Sequence, residues 1–580
     1  MAQYDLVIRG GTVIDGSGGA PFTADVAING AIIAAIGDGL EGRETIDAVG
    51  KIVTPGFVDA HTHYDGQVTW EERLSPSSDH GVTTVVMGNC AIGLAPCRPE
   101  ERELLIEVIS GVEDIPEPVM AAGIPWKWET FPEYMDFLAT RKADVDFAAQ
   151  VPHAAVRVYV MGKRGAEREM ALLDDLHAMT RLVKEGIEAG AIGVSTSRTM
   201  AHRTSKGQLA PTETSGDAEL MALARGVREA GGGVIEIVTD FNDVLLGGVA
   251  EFETLKRLAK AGDCPVSFTL VQLPQDSEGW KTVLRMTEEA RAEGLALTGQ
   301  VAPRAVGMCW GLNLSFNPFS YCDGYREIAH LPLAERVERM RDPAVRARIL
   351  SDESKDNNHI MVWMASMYPE MFPVVEGFDY EPDRSQSIGG IAKALGKDPK
   401  EVCYDQLLEE DGQRILYLAI TNYADGTLSA VRTMMESDAT MVSLGDGGAH
   451  YGLICDASYS TFTLIHWGRD RKAGRFPLPH LVRELTSKPA QAMGLGDRGL
   501  LKVGMKADLN VIDFDRLKLH RPEVRHDLPG GARRMVQRVD GYVATIVSGE
   551  VTYRDGEPTG ALPGRLLRGA QAAPAAMAAE

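Results

Sequence analysis

Long apolar runs are missing from this 580-residue chain. No stretch approaches the ~20 consecutive apolar residues that a membrane-spanning helix needs, so no bilayer crossing is expected. Paired cysteines are missing too. The seven cysteines (Cys90, Cys97, Cys264, Cys309, Cys322, Cys403 and Cys455) are scattered, odd in number and form no CxxC pair. That argues against a disulfide framework and for a reducing compartment. No basic cluster offsets the net charge of -23, a field that repels nucleic acid and anionic lipid. The opening residues MAQYDLVIRGG contain no basic segment followed by an apolar one, so no export signal is expected and the cytoplasm is the expected location. What is present is ordinary for a soluble protein with a large core: 44% hydrophobic and 24% charged residues.

The first fifty residues read as short alternating strands broken by turns, with Gly10-Gly11 and Asn29-Gly30 as hairpin-type dipeptides. KADLNVIDFD and YVATIVSGEVTYRDGEPTG repeat this texture near the other end. One small β-sandwich assembled from residues 1–54 and 496–564 is expected, followed by a loose Ala/Pro-biased tail over 565–580. Between them lie eight short β-branched-rich runs: VTPGFVDA, VTTVVMGN, DFAAQVP, AIGVSTS, GGVIEIV, VSFTLVQ, LALTGQV and TMVSLGD. Nearly continuous apolar character suits parallel strands covered by helices, and amphipathic segments such as DAELMALARGVREAG separate most of them. Eight such repeats over 55–495 give an α/β class, (β/α)8 TIM-type barrel with its chemistry at the strands' C-terminal ends. About 140 residues separate the seventh run from the eighth, so a large insertion is expected at about 304–439, of the kind that forms lids or substrate walls.

His61-Thr62-His63 follows directly on the first apolar run. Residues i and i+2 of a strand point to one side, so both imidazoles can reach one ion; two satisfied strand-end histidines are the alternative. At this point the chain resembles the amidohydrolase superfamily and, within it, the D-aminoacylase (N-acyl-D-amino-acid deacylase) family. The resemblance rests on LVIRGGTVIDGSG, PGFVDAHTHYD, GVTTVVMGNC, SLGDGGAH, SKPAQAMGLGDRGLLKVGMKADLNVID and GEVTYRDGEPTG, and it runs nearly end to end. It implies a β/α barrel with a β-sandwich made from both termini.

Asp446 ends the eighth run in SLGDGGAH. In the family this carboxylate is the metal-linked general acid/base, facing the imidazoles across the mouth; capping the Asp-Gly-Gly turn is the alternative. Cys90, in VVMGNC, matches the family's metal-ligand cysteine, and thiolate suits zinc; a small buried apolar residue is the other reading. Cys97 has no such match and reads as structural. The departure lies in strands five and six, where relatives place one histidine each. Here the histidines run from His202 to His330 with none between, the family position falls near Val238, and the sixth run ends in Gln272. Glu236 either reaches the ion from one layer deeper or is hydrogen-bonded within the barrel. The expectation is therefore one divalent ion per chain, zinc first on ligand type, on His61, His63, Asp446 and Cys90.

Other strand-end residues are candidate substrate contacts, each with a packing or solvated alternative. They are His153 after the third run, Arg198, His202 and Arg203 after the fourth, where an Arg fork can pair with a carboxylate, and His450, four residues beyond Asp446. Asp65 is a candidate for orienting a ligand. The expected chemistry is hydrolysis of a small-molecule amide. A metal lowers the pKa of water towards ~7, Asp446 takes the proton and returns it to the departing nitrogen, and the resemblance implies an N-acyl-D-amino acid or related amide. A lactone, cyclic amide or carbamate substrate serves the same site, and a barrel kept as a non-catalytic scaffold is the reading from another class. Oligomeric state, including a homo-oligomer, is left open.

Overall fold

A computed structural model of the chain describes residues 3–241 and 248–575. All eight apolar runs are strands of one parallel sheet: β1 (Phe57–Asp59), β2 (Val82–Met87), β3 (Asp146–Pro152), β4 (Gly193–Arg198), β5 (Val234–Thr239), β6 (Val266–Thr269), β7 (Leu297–Val301) and β8 (Thr440–Val442). They pair in sequence order from β1 to β7, with β8 beside β7. The two edges meet beyond the strand ends. Thr62 and Gly447 form a parallel bridge, the His63 N–H donates to the Gly447 carbonyl at 2.7 Å, and the Asp446 N–H donates to the His61 carbonyl at 3.1 Å. The chain just past β1 is thus stitched to the chain just past β8, at the level where His61, His63 and Asp446 project.

The continuous apolar runs are explained by burial on both faces. Val85, Phe147, Val151, Val194, Ile235, Ile237, Phe268 and Val301 are all buried, and helices pack outside. Asp217–Glu229 shows how: Leu220, Leu223, Ala224 and Val227 are its buried stripe, at the i, i+3, i+4, i+7 spacing of a helix laid against a core.

Strands from both termini share a second, nine-stranded sheet, in which Ile52–Pro55 pairs with Leu509–Ile512. Within it the strand Tyr4–Val13 pairs with Phe22–Asn29, Gly42–Asp47 and Ile52–Pro55. Its core joins Leu6, Ile8, Val26 and Ile28 to Leu509, Val511 and Ile546. Asn29-Gly30 is the expected hairpin turn, between Phe22–Asn29 and Ile32–Gly37. Gly10-Gly11 is not a turn. It lies inside the strand Tyr4–Val13 as a bulge, with a register shift between Ile8 and Gly11. Gly10 takes φ +68° there, a left-handed conformation a glycine adopts without a Cβ penalty. At this point the strand passes from its parallel partner Gly42–Asp47 to a second one, Ile52–Pro55.

The insertion carries a core of its own, including Trp310, Phe319, Tyr404 and Leu416. It is built on a three-stranded antiparallel sheet of Val306–Trp310, Leu416–Thr421 and Met371–Pro373. A long hairpin, Lys518–Leu528 with Ala532–Asp540, reaches back to the barrel mouth, where the Met535 N–H donates to the Tyr451 carbonyl at 2.7 Å. The tail expectation needs correcting. Leu566-Leu567 pairs in parallel with β3, Arg568 bonds Asp136 at 2.8 Å, and Gln571 exchanges backbone bonds with Gly494 and Gly496. Apolar partners on the barrel wall order a segment whose composition reads as loose; 576–580 lie outside the described residues. Among the described residues no helix is long and apolar enough to cross a membrane.

Candidate metal centre at the barrel mouth

His61 and His63 leave the end of β1 on the same side, ring centroids 5.5 Å apart and edge to face. Both Nε2 atoms lie 3.6 Å from one atom, Asp446 Oδ1. His61 Nε2 is also 3.2 Å from Cys90 Sγ, and ligand atoms of His61, His63 and Cys90 all fall within 4.8 Å of one another. The rings are oriented from behind. Gln300 Oε1, on β7, sits 2.9 Å from His61 Nδ1, and the Gln300 amide is itself fixed by donating to Ser267 Oγ at 2.8 Å. An Nδ1–H donated to that carbonyl leaves the Nε2 lone pair facing Cys90 and Asp446. Behind His63, Glu113 Oε1 stands 3.4 Å from Nδ1.

Burial pushes the His61 imidazole down to about 4, against the attraction of Asp446, and His63 down to about 3. Both are therefore neutral at pH 7 and offer lone pairs. Burial pushes the Cys90 thiol well up, with Glu113, Glu236 and Asp446 adding to the effect; a bound cation reverses that, since a coordinating thiol loses its proton. His63 supplies the test of fit. It is buried, yet neither ring nitrogen has a hydrogen-bond partner. Buried polar atoms are almost always satisfied, and the donor set of two imidazoles, a thiol and a carboxylate is what a divalent ion takes up.

Cys90 is held by its surroundings. Cys90 and Ala91 both have positive φ, 55° and 67°, and the turn is pinned from three directions. Glu236 Oε2 accepts the Cys90 N–H at 3.3 Å, Ser195 Oγ accepts the Ala91 N–H at 3.2 Å, and Asp65 Oδ2 accepts the Gly88 N–H at 3.0 Å. Asp65 therefore positions the cysteine turn rather than a histidine.

Glu236 lies fully buried with its other oxygen 3.6 Å from His61 Nδ1, and burial raises its carboxyl to about 8. Of the two readings of Glu236, the hydrogen bond within the barrel is the one seen; the carboxyl stands behind His61 and outside the cluster of His61, His63 and Cys90. Val238 is a partly buried apolar residue of the core. Gln272 lies beyond the end of β6 and turns to the insertion, where its amide bonds Asp425 at 3.0 Å. Cys97 is buried in a small apolar cluster with Leu105, Ala155 and Val158.

The candidate substrate contacts divide. His450 comes to the site. Its N–H donates to the Glu113 carbonyl at 2.5 Å, and its Nε2 stands 3.7 Å from Glu113 Oε2. His202 comes too, its Nδ1 2.7 Å from Ser197 Oγ; burial, then the neighbouring His63, His450 and His61, push it down to about 3. His153 does not. It is buried with Thr196 Oγ1 at 2.8 Å on one ring nitrogen and Glu219 Oε1 at 2.8 Å on the other, so no ring atom is left for a substrate. Arg198 pairs with Glu251 at 3.1 Å, and Arg203 donates to the Gly207 carbonyl of its own loop at 3.0 Å. Glu251 thus occupies Arg198 in place of the expected substrate carboxylate, whereas Arg203 has no carboxylate partner among the described residues and its buried Nε has none at all.

Sequence reasoning missed Glu113 and Gln300. Glu113 ends the helix Arg102–Glu113 in the excursion between β2 and β3, with no motif to distinguish it from a surface acid. Gln300 sits mid-strand in LALTGQV; a lone polar residue in an apolar parallel strand was the signal available.

Residues 44–553 match the amidohydrolase family. D-aminoacylase of Alcaligenes xylosoxydans xylosoxydans is 26% identical over 578 residues, spanning 97% of both chains. N-acyl-D-glutamate deacylase of the same organism is 26% identical over 570 residues, 98% of this chain and 97% of that one. Among solved structures, an N-acyl-D-glutamate deacylase from Bordetella bronchiseptica complexed with zinc and a phosphonate inhibitor superposes with a TM-score of 0.63 at 22% identity, over 97% of this chain and 99% of that one. With the metal-ligand cluster at the strand ends, the chain belongs to the amidohydrolase family, is similar from end to end to its D-aminoacylase members, and is a hydrolase of carbon–nitrogen amide bonds.

Proposed function

We propose that the protein deacylates an N-acyl amino acid, of the D series on the strength of its relatives, at a centre holding one divalent ion, zinc, on His61, His63, Cys90 and Asp446. The observation that carries this reading is the convergence of both Nε2 atoms on Asp446 Oδ1, at 3.6 Å each, beside Cys90. Bound there, the ion supplies Lewis acidity, polarising the scissile carbonyl and acidifying water.

The chain's own residues do the rest. Asp446, the most accessible of the four with 18% of its side chain exposed, takes a proton from the attacking water. It delivers that proton to the departing nitrogen as the tetrahedral adduct collapses. Gln300 holds the His61 imidazole so that its Nε2 faces inward, and Glu113 Oε1 stands 3.4 Å behind His63 Nδ1. His450 and His202, neutral and lining the same space, hydrogen-bond the substrate. The missing strand-five and strand-six histidines restrict the centre to a single tightly held ion.

In this reading residues 55–495 are the catalytic barrel and 1–54 with 496–564 the terminal β-domain, and the seven unpaired cysteines favour the cytoplasm. Elemental analysis, with a product screen across N-acyl amino acids and lactones on the wild type and Asp446→Asn, tests it. About one ion per chain and amide turnover abolished in the variant are expected; two tightly held ions per chain, or turnover of lactones alone, refute it.

A further inference from the structure

A cavity of about 510 Å³ lies apart from the metal centre, at the junction of the insertion and the long C-terminal hairpin. In a chain of net charge -23, its wall contains no acidic residue and two arginines, Arg336 and Arg533. Arg336 belongs to the insertion helix Leu333–Arg341; Arg533 belongs to the hairpin strand Ala532–Asp540. Neither makes a salt bridge among the described residues. Arg336 Nη1 donates to Tyr325 Oη at 2.9 Å and to the Ala329 carbonyl at 3.4 Å, while its Nε is buried with no partner at all. Arg533 Nη2 donates to the Leu314 carbonyl at 2.8 Å.

The two cations also repel. Burial, then the neighbouring Arg336 charge, depress the Arg533 guanidinium, against a weaker pull from Asp114. Asp114 is already committed elsewhere: its Oδ2 accepts from Ser315 Oγ at 3.0 Å and from the Gly452 N–H at 2.9 Å. Two guanidiniums lining one cavity with no ion-pair partner among the described residues, one with an orphaned buried donor, are an arrangement that an oxyanion relieves. Guanidinium forks match carboxylate and phosphate geometry, and Ser320, Tyr321 and Asn313 add neutral polar groups around the same space.

We propose that Arg336 and Arg533 form a binding site for a small oxyanion, a carboxylate or phosphate, which fastens the insertion to the hairpin beside the catalytic mouth. The position gives the site a consequence. Ser315, in the cavity wall, bonds Asp114, whose chain neighbour Glu113 backs His63. An anion seated here therefore braces the wall from which the metal centre is supported. Its source is either the distal carboxylate of an extended substrate or a free anion of the medium.

The test uses the full chain stripped of metal, so that no anion binds an ion in the catalytic centre. Inorganic phosphate and succinate are titrated calorimetrically into wild type, Arg336→Gln and Arg533→Gln, with Arg538→Gln, a surface arginine paired with Glu523, as control. Saturable binding is expected, weakened at least about tenfold, or about 1.4 kcal/mol, in each cavity variant and unchanged in the control. Melting curves without ligand verify that the variants fold, and Arg336→Lys, which keeps charge but loses the fork, is expected to bind with intermediate strength. No binding to wild type, or equal binding to the cavity variants, overturns the proposal. The metal-loaded enzyme then assigns the source, an arm that rests on the deacylase reading whereas the titration does not. KM raised with kcat unchanged, only for amides bearing a distal carboxylate, identifies the substrate's own group. KM unchanged for all amides identifies a free anion.

Discussion

Replacing Gln300 with methionine removes the acceptor facing His61 and the donor facing Ser267, and nearly preserves volume. In the wild type its Oε1 takes the His61 Nδ1 proton at 2.9 Å, inside a fully buried site. Without it the Nδ1–H is stranded, which costs about 1–3 kcal/mol. The imidazole relieves that cost by moving the proton to Nε2 or by rotating, and either response takes the lone pair away from Cys90 and Asp446. Loss of such a supporting partner weakens metal binding by about 10–100-fold, which corresponds to about 1.4–2.7 kcal/mol and agrees with the hydrogen-bond figure. Global stability should fall by about 1–3 kcal/mol, the cost of the stranded buried donor. Glu236 Oε1, 3.6 Å from the same nitrogen, is the group able to substitute, so Gln300→Met with Glu236→Gln should lose more affinity than the two single variants combined. Chelator competition on each purified variant measures the affinity, and melting curves measure the stability. Metal affinity within twofold of wild type in both the single and the double variant refutes the argument that Gln300 sets the His61 tautomer.

Asp446→Asn should lower kcat by about 10²–10⁴-fold, the range a general acid/base supplies, with the melting midpoint nearly unchanged; steady-state kinetics at saturating metal check it. In the metal-free chain, His61 and His450 are depressed from 6.5 to about 4 and His63 and His202 to about 3. The folded state therefore binds fewer protons than the unfolded one at these four sites. Stability present above pH 6.5 should drain away as pH falls through that window towards the folded values, and bound metal should steepen the loss; melts across pH 4 to 7 read it directly. Glu236, raised from 4.5 to about 8, works in the opposite sense, and its contribution should fade as pH rises through about 8. Gly10→Ala forces a Cβ into the bulge, at φ +68° and 3.0 Å from Val49 Cγ2. It should cost about 1–2 kcal/mol and leave KM and kcat unaltered; an unchanged melting midpoint would count against a strained bulge.

The eight barrel strands were legible because parallel strands covered on both faces must be apolar throughout, and each run is bounded by turn residues. The convergence of His61, His63, Cys90 and Asp446 was legible because strand ends and local motifs carry them. What could not be read was determined by distance along the chain. Glu113 comes within 3.4 Å of His63 only because the long excursion after β2 folds back over the mouth. Gln300 meets His61 across 239 residues of sequence. His153 looked like a mouth residue until Glu219, 66 residues on, claimed its ring. Gly10-Gly11 failed for a local reason: a bulge and a turn ask for the same left-handed glycine, and only the pairing partners tell them apart.

The seam at Thr62 and Gly447 gives assembly of the enzyme an order. Both imidazoles and the thiol lie within the first 90 residues, but Asp446 comes far later in the chain, in the segment after β8 that meets the chain past β1. A chain ending anywhere in the insertion lacks Asp446 and the Thr62–Gly447 bridge, so in the proposed reading it lacks the carboxylate that would complete the centre. In that reading the contact that joins the two edges of the sheet is also the one that brings Asp446 to the imidazoles.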